Sequence, residues 1–111
     1  MTYERFDVVV VPFPFTDKSA QKRRPALVLS SAKSFNAKAR HSVMAMITSA
    51  ANRSWPLDVT IRDLTAAGLP AASVVRMKLF TLDHKFVVRR AGRLTAADQD
   101  AVGSSLGKLF T

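Results

Sequence analysis

Four consecutive valines, Val8–Val11, most constrain how this chain can fold. β-branched side chains fit the pleated surface of a sheet, and Pro12 and Pro14 end the run, so it is predicted to be a short buried strand. No apolar run of the sequence approaches the roughly 20 residues that a membrane-spanning helix needs. The segment Met1–Asp7 lacks the features of a secretory signal. We therefore expect a cytoplasmic protein that folds around short strands.

Four further apolar segments have the length of strands. Continuous runs are predicted to be buried strands, and alternation of apolar with polar residues predicts half-exposed ones. In chain order these segments are Ala26–Leu29, Val43–Ile47, Leu57–Ile61 and Val75–Leu79, with Phe86–Val88 as a further short strand. The polar and basic segment Phe15–Arg24 is predicted to be a long connection. Ser30–Arg40 is predicted to contain one irregular helical turn.

The last segment of the chain has a helical pattern. Thr95 is predicted to be its N-cap, with Asp98 three residues later. One helical face then carries four apolar residues, namely Val102, Leu106, Leu109 and Phe110. About five short strands followed by one helix predict a mainly β, α+β chain. We expect a small β-barrel capped by a C-terminal helix, in a single domain spanning residues 1–111.

Positive charge is concentrated in two stretches of the sequence. The formal net charge is +9, and the segment from Lys18 to Leu57 contains eight basic residues and no acidic one. A second acid-free stretch contains Lys85, Arg89, Arg90 and Arg93. A solvated surface explains any single one of these charges, but their clustering is typical of a surface that binds phosphates. The sequence therefore favours a polyanionic partner such as nucleic acid.

The residue types present restrict the chemistry that the chain can perform. Glu4 is the only glutamate, the aspartates are scattered, and there is no cysteine. We therefore predict no catalytic metal, and the absence of nucleotide-binding motifs predicts no cofactor. RNA carries its own nucleophile, the 2′-OH, so its cleavage needs only donors that stabilise the phosphorane and groups that move protons. Guanidinium suits the first task, while His41 and His84 are either an acid–base pair or ordinary surface histidines.

Five sequence blocks, in this order, make the chain resemble the MazF/PemK-like toxins of type II toxin–antitoxin pairs. The blocks extend over nearly the whole chain, up to residues 92–95. They are Asp7–Pro12 (DVVVVP), Arg24–Leu29 (RPALVL), Ile47–Ser49 (ITS), Ser73–Arg76 (SVVR) and Lys78–Asp83 (KLFTLD). The resemblance implies a small SH3-like, CcdB-like β-barrel with a C-terminal helix. It also implies a metal-independent endoribonuclease that acts on single-stranded RNA.

The resemblance also implies partners and site residues. It implies a homodimer that is inhibited by a cognate antitoxin with an acidic C-terminal segment. Arg24 and Thr48 match catalytic residues of the family, and we assign Arg24 to stabilising the phosphate because guanidinium is not readily deprotonated. Ser49 and Arg76 match the PemK branch and are assigned to RNA binding, together with the neighbouring Lys22 and Arg23.

Two other functions are compatible with the same barrel. CcdB-like gyrase poisons share it, and such a protein binds a protein target and cleaves nothing. A non-catalytic basic module would bind RNA with a steep dependence on salt and leave it intact. The presence of both Arg24 and Thr48 favours the ribonuclease.

Overall fold

The fold is a six-stranded antiparallel sheet, curled into a half-barrel, with a C-terminal helix, which confirms the predicted class. The computed structural model describes residues 2–13 and 22–111. In these ranges the elements are β1 (Asp7–Phe13), β2 (Lys22–Val28), a π-helical turn (Ala32–Asn36), α1 (Ala37–Ala39), β3 (His41–Ser49), β4 (Val59–Thr60), α2 (Leu64–Ala67), β5 (Ser73–Asp83), a 3-10 turn (His84–Phe86), β6 (Arg89–Arg93) and α3 (Ala96–Leu109).

Side chains alternate between the two faces of the sheet along each strand, and both faces carry buried apolar residues. The strands hydrogen-bond in the order β4-β5-β3-β2-β1-β6. One face packs against Val102 of α3, and its buried strand residues include Val8, Leu27, Ala45, Ile47 and Val75. The other face carries a second buried cluster, which includes Tyr3, Val9, Val11, Ala26, Val28 and Met44. The valine run of β1 therefore contributes to both clusters, as expected of a strand that is covered on both sides.

The last strand differs from its prediction. The apolar segment Phe86–Val88 is not a strand: a 3-10 turn ends at Phe86, and the Asp83 side chain accepts a hydrogen bond from the Lys85 N–H at its start. The strand is β6, a strongly basic segment that pairs with β1. Its charge is tolerated because Arg90 Nε and Arg93 Nη1 each donate to the buried Asp7 carboxylate at 3.1 Å.

Two other boundaries differ from prediction, whereas the irregular helical turn is found in the segment where it was predicted. The predicted connection Phe15–Arg24 ends earlier than expected, because Lys22–Arg24 already pair with β1; the rest of it, residues 15–21, lies outside the described residues. The predicted strand Leu57–Ile61 pairs only at Val59–Thr60, since Leu57 has a positive φ of 66° that is incompatible with a strand. Within Ser30–Arg40 the chain forms a π-helical turn that runs directly into α1.

The C-terminal helix begins as predicted, with Thr95 Oγ1 accepting the N–H of Asp98. The Asp98 carboxylate is itself buried and accepts the N–H groups of Arg62 and Asp63, so it fixes the segment before α2 to the start of α3. The predicted apolar face is only partly covered: Val102 is fully buried, whereas Phe110 is 74% exposed. No helix among the described residues is long and apolar enough to cross a membrane.

Candidate active site

Arg24 and Thr48, the two residues predicted to act on the phosphate, lie just beyond the paired parts of the neighbouring strands β2 and β3. Ala26↔Met46 is the last paired position of these strands on this side. Since residues two apart share a face, both side chains are on the face that carries Ala26 and Met46. Residues opposed in a regular antiparallel pair lie roughly 5 Å apart, so a register continued by two residues would let one phosphate group contact both.

Arg24 contacts an aromatic ring and forms no ion pair with the acids that the structure describes. The residue is half-buried, and its guanidinium carbon lies 5.2 Å from the centre of the Phe13 ring. The ion pairs of the described residues involve other basic groups, and none of them includes Arg24. The aromatic contact therefore holds the side chain against the sheet, while no acid in residues 2–13 and 22–111 binds its planar set of N–H donors.

Thr48 is oriented by a residue that the sequence analysis missed. Asn52 Nδ2 donates a hydrogen bond of 2.6 Å to Thr48 Oγ1. A hydroxyl that accepts one hydrogen bond still has its own proton to donate, so Thr48 can donate to a phosphate oxygen. The sequence shows that polar residues follow the third strand. Which of them contacts Thr48 depends on the conformation of the turn after β3.

Ser49 has a role in that turn. Its Oγ accepts the Ala51 N–H at 3.2 Å, and the residue is exposed. Because side chains alternate, Ser49 points away from the face that carries Thr48. The geometry gives Ser49 a local role in the backbone turn; its predicted contact with RNA stays a prediction.

Arg76 lies on the same face of the sheet as Thr48, on the adjacent strand β5. It pairs with Met46. Its guanidinium binds Asp58 through two bonds, from Nε to Oδ1 at 3.2 Å and from Nη2 to Oδ2 at 3.0 Å. Nη2 also donates to the carbonyl of Arg53 at 2.7 Å. Arg76 therefore anchors the segment of residues 50–58, which we call the β3–β4 loop.

Asp58 is the acidic partner of Arg76, and it is not among the site residues predicted from the sequence. Burial acts to raise the pKa of Asp58, but the hydrogen bonds from Arg76 and the Trp55 N–H outweigh it and lower the pKa below its usual value. The carboxylate thus stays ionised and keeps Arg76 in place. No sequence signal connects two residues 18 positions apart, and the alternation around Val59 indicated only that Asp58 faces away from the core.

Lys22 and Arg23, the other two residues assigned to RNA, are separated by the alternation of β2. Both are exposed. Lys22 pairs with Phe13 and shares the face of Arg24. By alternation Arg23 points to the opposite face, and it lines a cleft of about 320 Å³ together with Arg24 and Arg89. Lys22 thus shares a face of the sheet with Arg24, whereas Arg23 shares a cleft with it.

The two histidines lie at the opposite end of β3 from Thr48, seven residues or roughly 20 Å away. His84 Nε2 is 2.7 Å from Ser42 Oγ, and burial lowers the pKa of this imidazole. His41 Nδ1 bonds the Ala39 carbonyl at 2.8 Å. Both histidines line a cleft of about 720 Å³ at that end of the sheet. Within one chain they cannot serve as acid and base for Arg24 and Thr48.

The described residues contain no group of three or more histidine, aspartate or glutamate side chains placed to hold a metal ion. Asp58, which lies in the β3–β4 loop, is already bound to Arg76. What Arg24 and Thr48 offer together is hydrogen bonding and positive charge directed at an oxyanion.

Comparisons with known proteins identify the family and the fold. Residues 4–110 match the sequence family described as PemK-like, MazF-like toxin of type II toxin-antitoxin system. A search of curated protein sequences gives no match.

Several solved structures are similar in fold. MazF in a MazE–MazF complex from Deinococcus radiodurans is 22% identical, with a TM-score of 0.76, covering 99% of this chain and 96% of its own. A mycobacterial endoribonuclease in complex with its cognate antitoxin is 17% identical, with a TM-score of 0.77, covering 97% and 94%. The Mycobacterium tuberculosis toxin MazF-mt6 is 22% identical, with a TM-score of 0.71, covering 94% and 95%.

Proposed function

The chain belongs to the PemK-like, MazF-like toxins of type II toxin–antitoxin systems, and we propose that it is a metal-independent endoribonuclease that cleaves single-stranded RNA. The observation that carries the proposal is that Arg24 and Thr48 each lie two residues beyond the last β2–β3 pair, Ala26↔Met46, on one face of the sheet. An arginine without an acidic partner among the described residues and a threonine hydroxyl, at the neighbouring ends of two adjacent strands, are suited to one phosphodiester.

In the proposed reaction, the 2′ oxygen of the substrate attacks the adjacent phosphorus. The bond from phosphorus to the 5′ oxygen breaks, and the proton of the 2′-OH is transferred overall to the leaving 5′ oxygen. The products are a 2′,3′-cyclic phosphate and a 5′-OH. Arg24 stays protonated throughout and donates to the non-bridging oxygens, where negative charge increases in the phosphorane, while Thr48 donates a further hydrogen bond.

The direct test is incubation of the purified chain with unstructured RNA, followed by electrophoresis under denaturing conditions. We expect discrete cut ends. A CcdB-like poison would leave RNA intact and inhibit DNA supercoiling by gyrase. A non-catalytic module would retard RNA in a native gel, with affinity falling steeply as salt rises, and would release it uncut. Either result would contradict the proposal.

We also propose that the active form is a homodimer. An apolar groove of about 340 Å³ lies between the sheet and α3, and its lining includes Leu29, Val43, Leu79, Leu106 and Phe110. Phe110 and Leu79 are 74% and 36% exposed, so a single chain leaves this patch in water. Contiguous exposed apolar surface is typical of protein–protein interfaces, and a second copy that covers it would also bring two basic sheets together.

Sedimentation of the purified chain should give twice the monomer mass of 12.2 kDa. Phe110→Asp should shift the equilibrium toward the monomer, because it places a charge in the groove. Val88→Asp is the matched control: Val88 is 40% exposed but does not line the groove, so this variant should sediment as a dimer. A wild-type chain that is monomeric at micromolar concentration would contradict the proposal.

The inhibitor that we propose is a cognate antitoxin with an acidic segment. Support comes from the net charge of +9 and from the two similar toxins whose structures contain an antitoxin. Electrostatic attraction of this kind accelerates association and weakens with salt.

A further inference from the structure

Trp55 is a large aromatic residue that the proposed reaction does not use. It is the only tryptophan of the sequence, and 44% of its surface is exposed. It lies in the β3–β4 loop and lines a cleft of about 430 Å³ together with Arg53, Arg76 and Lys78. Burying an indole is strongly favourable, so a tryptophan left in water beside three cations is a candidate ligand surface.

Hydrogen bonds fix the backbone of the loop around Trp55. The Trp55 backbone N–H donates to Asp58 Oδ2 at 3.0 Å, and the Asp58 backbone N–H donates back to the Trp55 carbonyl at 3.1 Å. Arg76 ties Asp58 and the Arg53 carbonyl to β5. The backbone is therefore held on both sides of Trp55 in sequence, and a ligand that stacks on the indole would not have to order the loop first.

The charges around the ring favour an anionic ligand. Lys78 Nζ lies 4.6 Å from the ring centre, and Arg76 Cζ lies 5.9 Å from it. Arg76 is occupied by Asp58, but none of the ion pairs of the described residues involves Lys78 or Arg53. The cleft thus combines an aromatic surface with two cations that no described acid neutralises, a combination that a nucleotide satisfies with its base and its phosphate.

Two residues, Asn52 and Arg76, connect the cleft with the candidate active site. Asn52 of the same loop holds Thr48 Oγ1, and Arg76 is on the same face of the sheet as Thr48, on the adjacent strand. We propose that Trp55 is the stacking surface for an unpaired base of the RNA whose scissile phosphate lies at Arg24 and Thr48, with Lys78 and Arg53 at the phosphates of that nucleotide. This inference rests on the proposed function.

The test uses the full chain and a short random-sequence single-stranded DNA, which lacks the 2′-OH. Because Trp55 is the only tryptophan, its fluorescence reports directly on stacking, and we expect the DNA to quench it. An abasic strand of the same length should bind more weakly and leave the fluorescence largely unchanged. Quenching by polyglutamate but not by DNA would overturn the proposal and assign the cleft to an acidic protein segment.

Variants give the second measurement. Trp55→Ala should weaken binding of a labelled strand by roughly 5- to 150-fold, the range for loss of one stacked base, while Trp55→Phe should stay within about threefold of the wild type. Phe35→Ala is the matched control: it removes an exposed aromatic residue near the opposite end of β3 and should change nothing. Wild-type binding by Trp55→Ala would overturn the proposal.

Different results would contradict the proposed ribonuclease and the proposed stacking surface. A chain whose fluorescence is quenched by DNA but which leaves RNA uncut would contradict the ribonuclease and keep the stacking surface. A chain that cuts RNA equally fast with Trp55 and with alanine at this position would keep the ribonuclease and contradict the stacking surface.

Discussion

Replacing Arg24 with alanine is expected to slow RNA cleavage by about 100- to 1,000-fold, as for the loss of one donor to a transition-state oxyanion. The effect on the free energy of unfolding should be small, because the side chain is only half-buried and its described contact is the Phe13 ring. Cleavage of a labelled RNA under single-turnover conditions measures the first quantity, and urea unfolding measures the second. Expression of the variant should no longer arrest growth.

Two further variants separate charge from geometry. Arg24→Lys keeps the charge but replaces a planar fork of donors with a single ammonium group, so it should recover little of the lost rate. Arg62→Ala removes an exposed arginine whose backbone N–H, not its side chain, contacts Asp98, and it should cleave like the wild type. An Arg24→Ala protein that still arrests growth at wild-type expression would remove Arg24 from the mechanism.

Much of the fold could be predicted because it depends on local patterns. The valine run, the alternation around Val75 and the N-cap at Thr95 each report on a few neighbouring residues, and all three are confirmed. β6 could not be found in this way. Its arginines are stabilised in the sheet by Asp7, more than 80 residues away, so a segment that is polar in sequence becomes a paired strand in the fold.

The candidate site, too, has features that local sequence patterns predict and features that depend on contacts between distant residues. Arg24 and Thr48 could be selected from their sequence blocks, but only the pairing of β2 with β3 brings them onto neighbouring strands and one face of the sheet. The Asp58–Arg76 pair and the position of Trp55 depend on how the β3–β4 loop folds back against β5. Such contacts join residues that no short pattern connects, and they determine which cations remain free to bind a ligand.

Replacing the ribose on the 5′ side of the scissile bond with deoxyribose is expected to abolish cleavage. Attack by the 2′-OH requires that oxygen, whereas binding depends on phosphates and bases that the deoxy strand retains. Affinity should therefore change little while the rate falls to background. One oligonucleotide made in both forms, with cleavage followed by gel and binding followed by anisotropy, measures both quantities.

The same digestion carried out with and without EDTA tests the source of the nucleophile. The described residues gather no cluster of carboxylates or histidines to hold a metal ion, and Arg24 and Thr48 need none to stabilise charge on the phosphoryl oxygens. We therefore expect equal rates in both samples and, by mass spectrometry, products with a 2′,3′-cyclic phosphate and a 5′-OH. Cleavage of the deoxy strand, or products that carry a 5′-phosphate, would mean that water attacks the phosphorus. Arg24 and Thr48 would then act on a reaction that needs a separate group to activate that water.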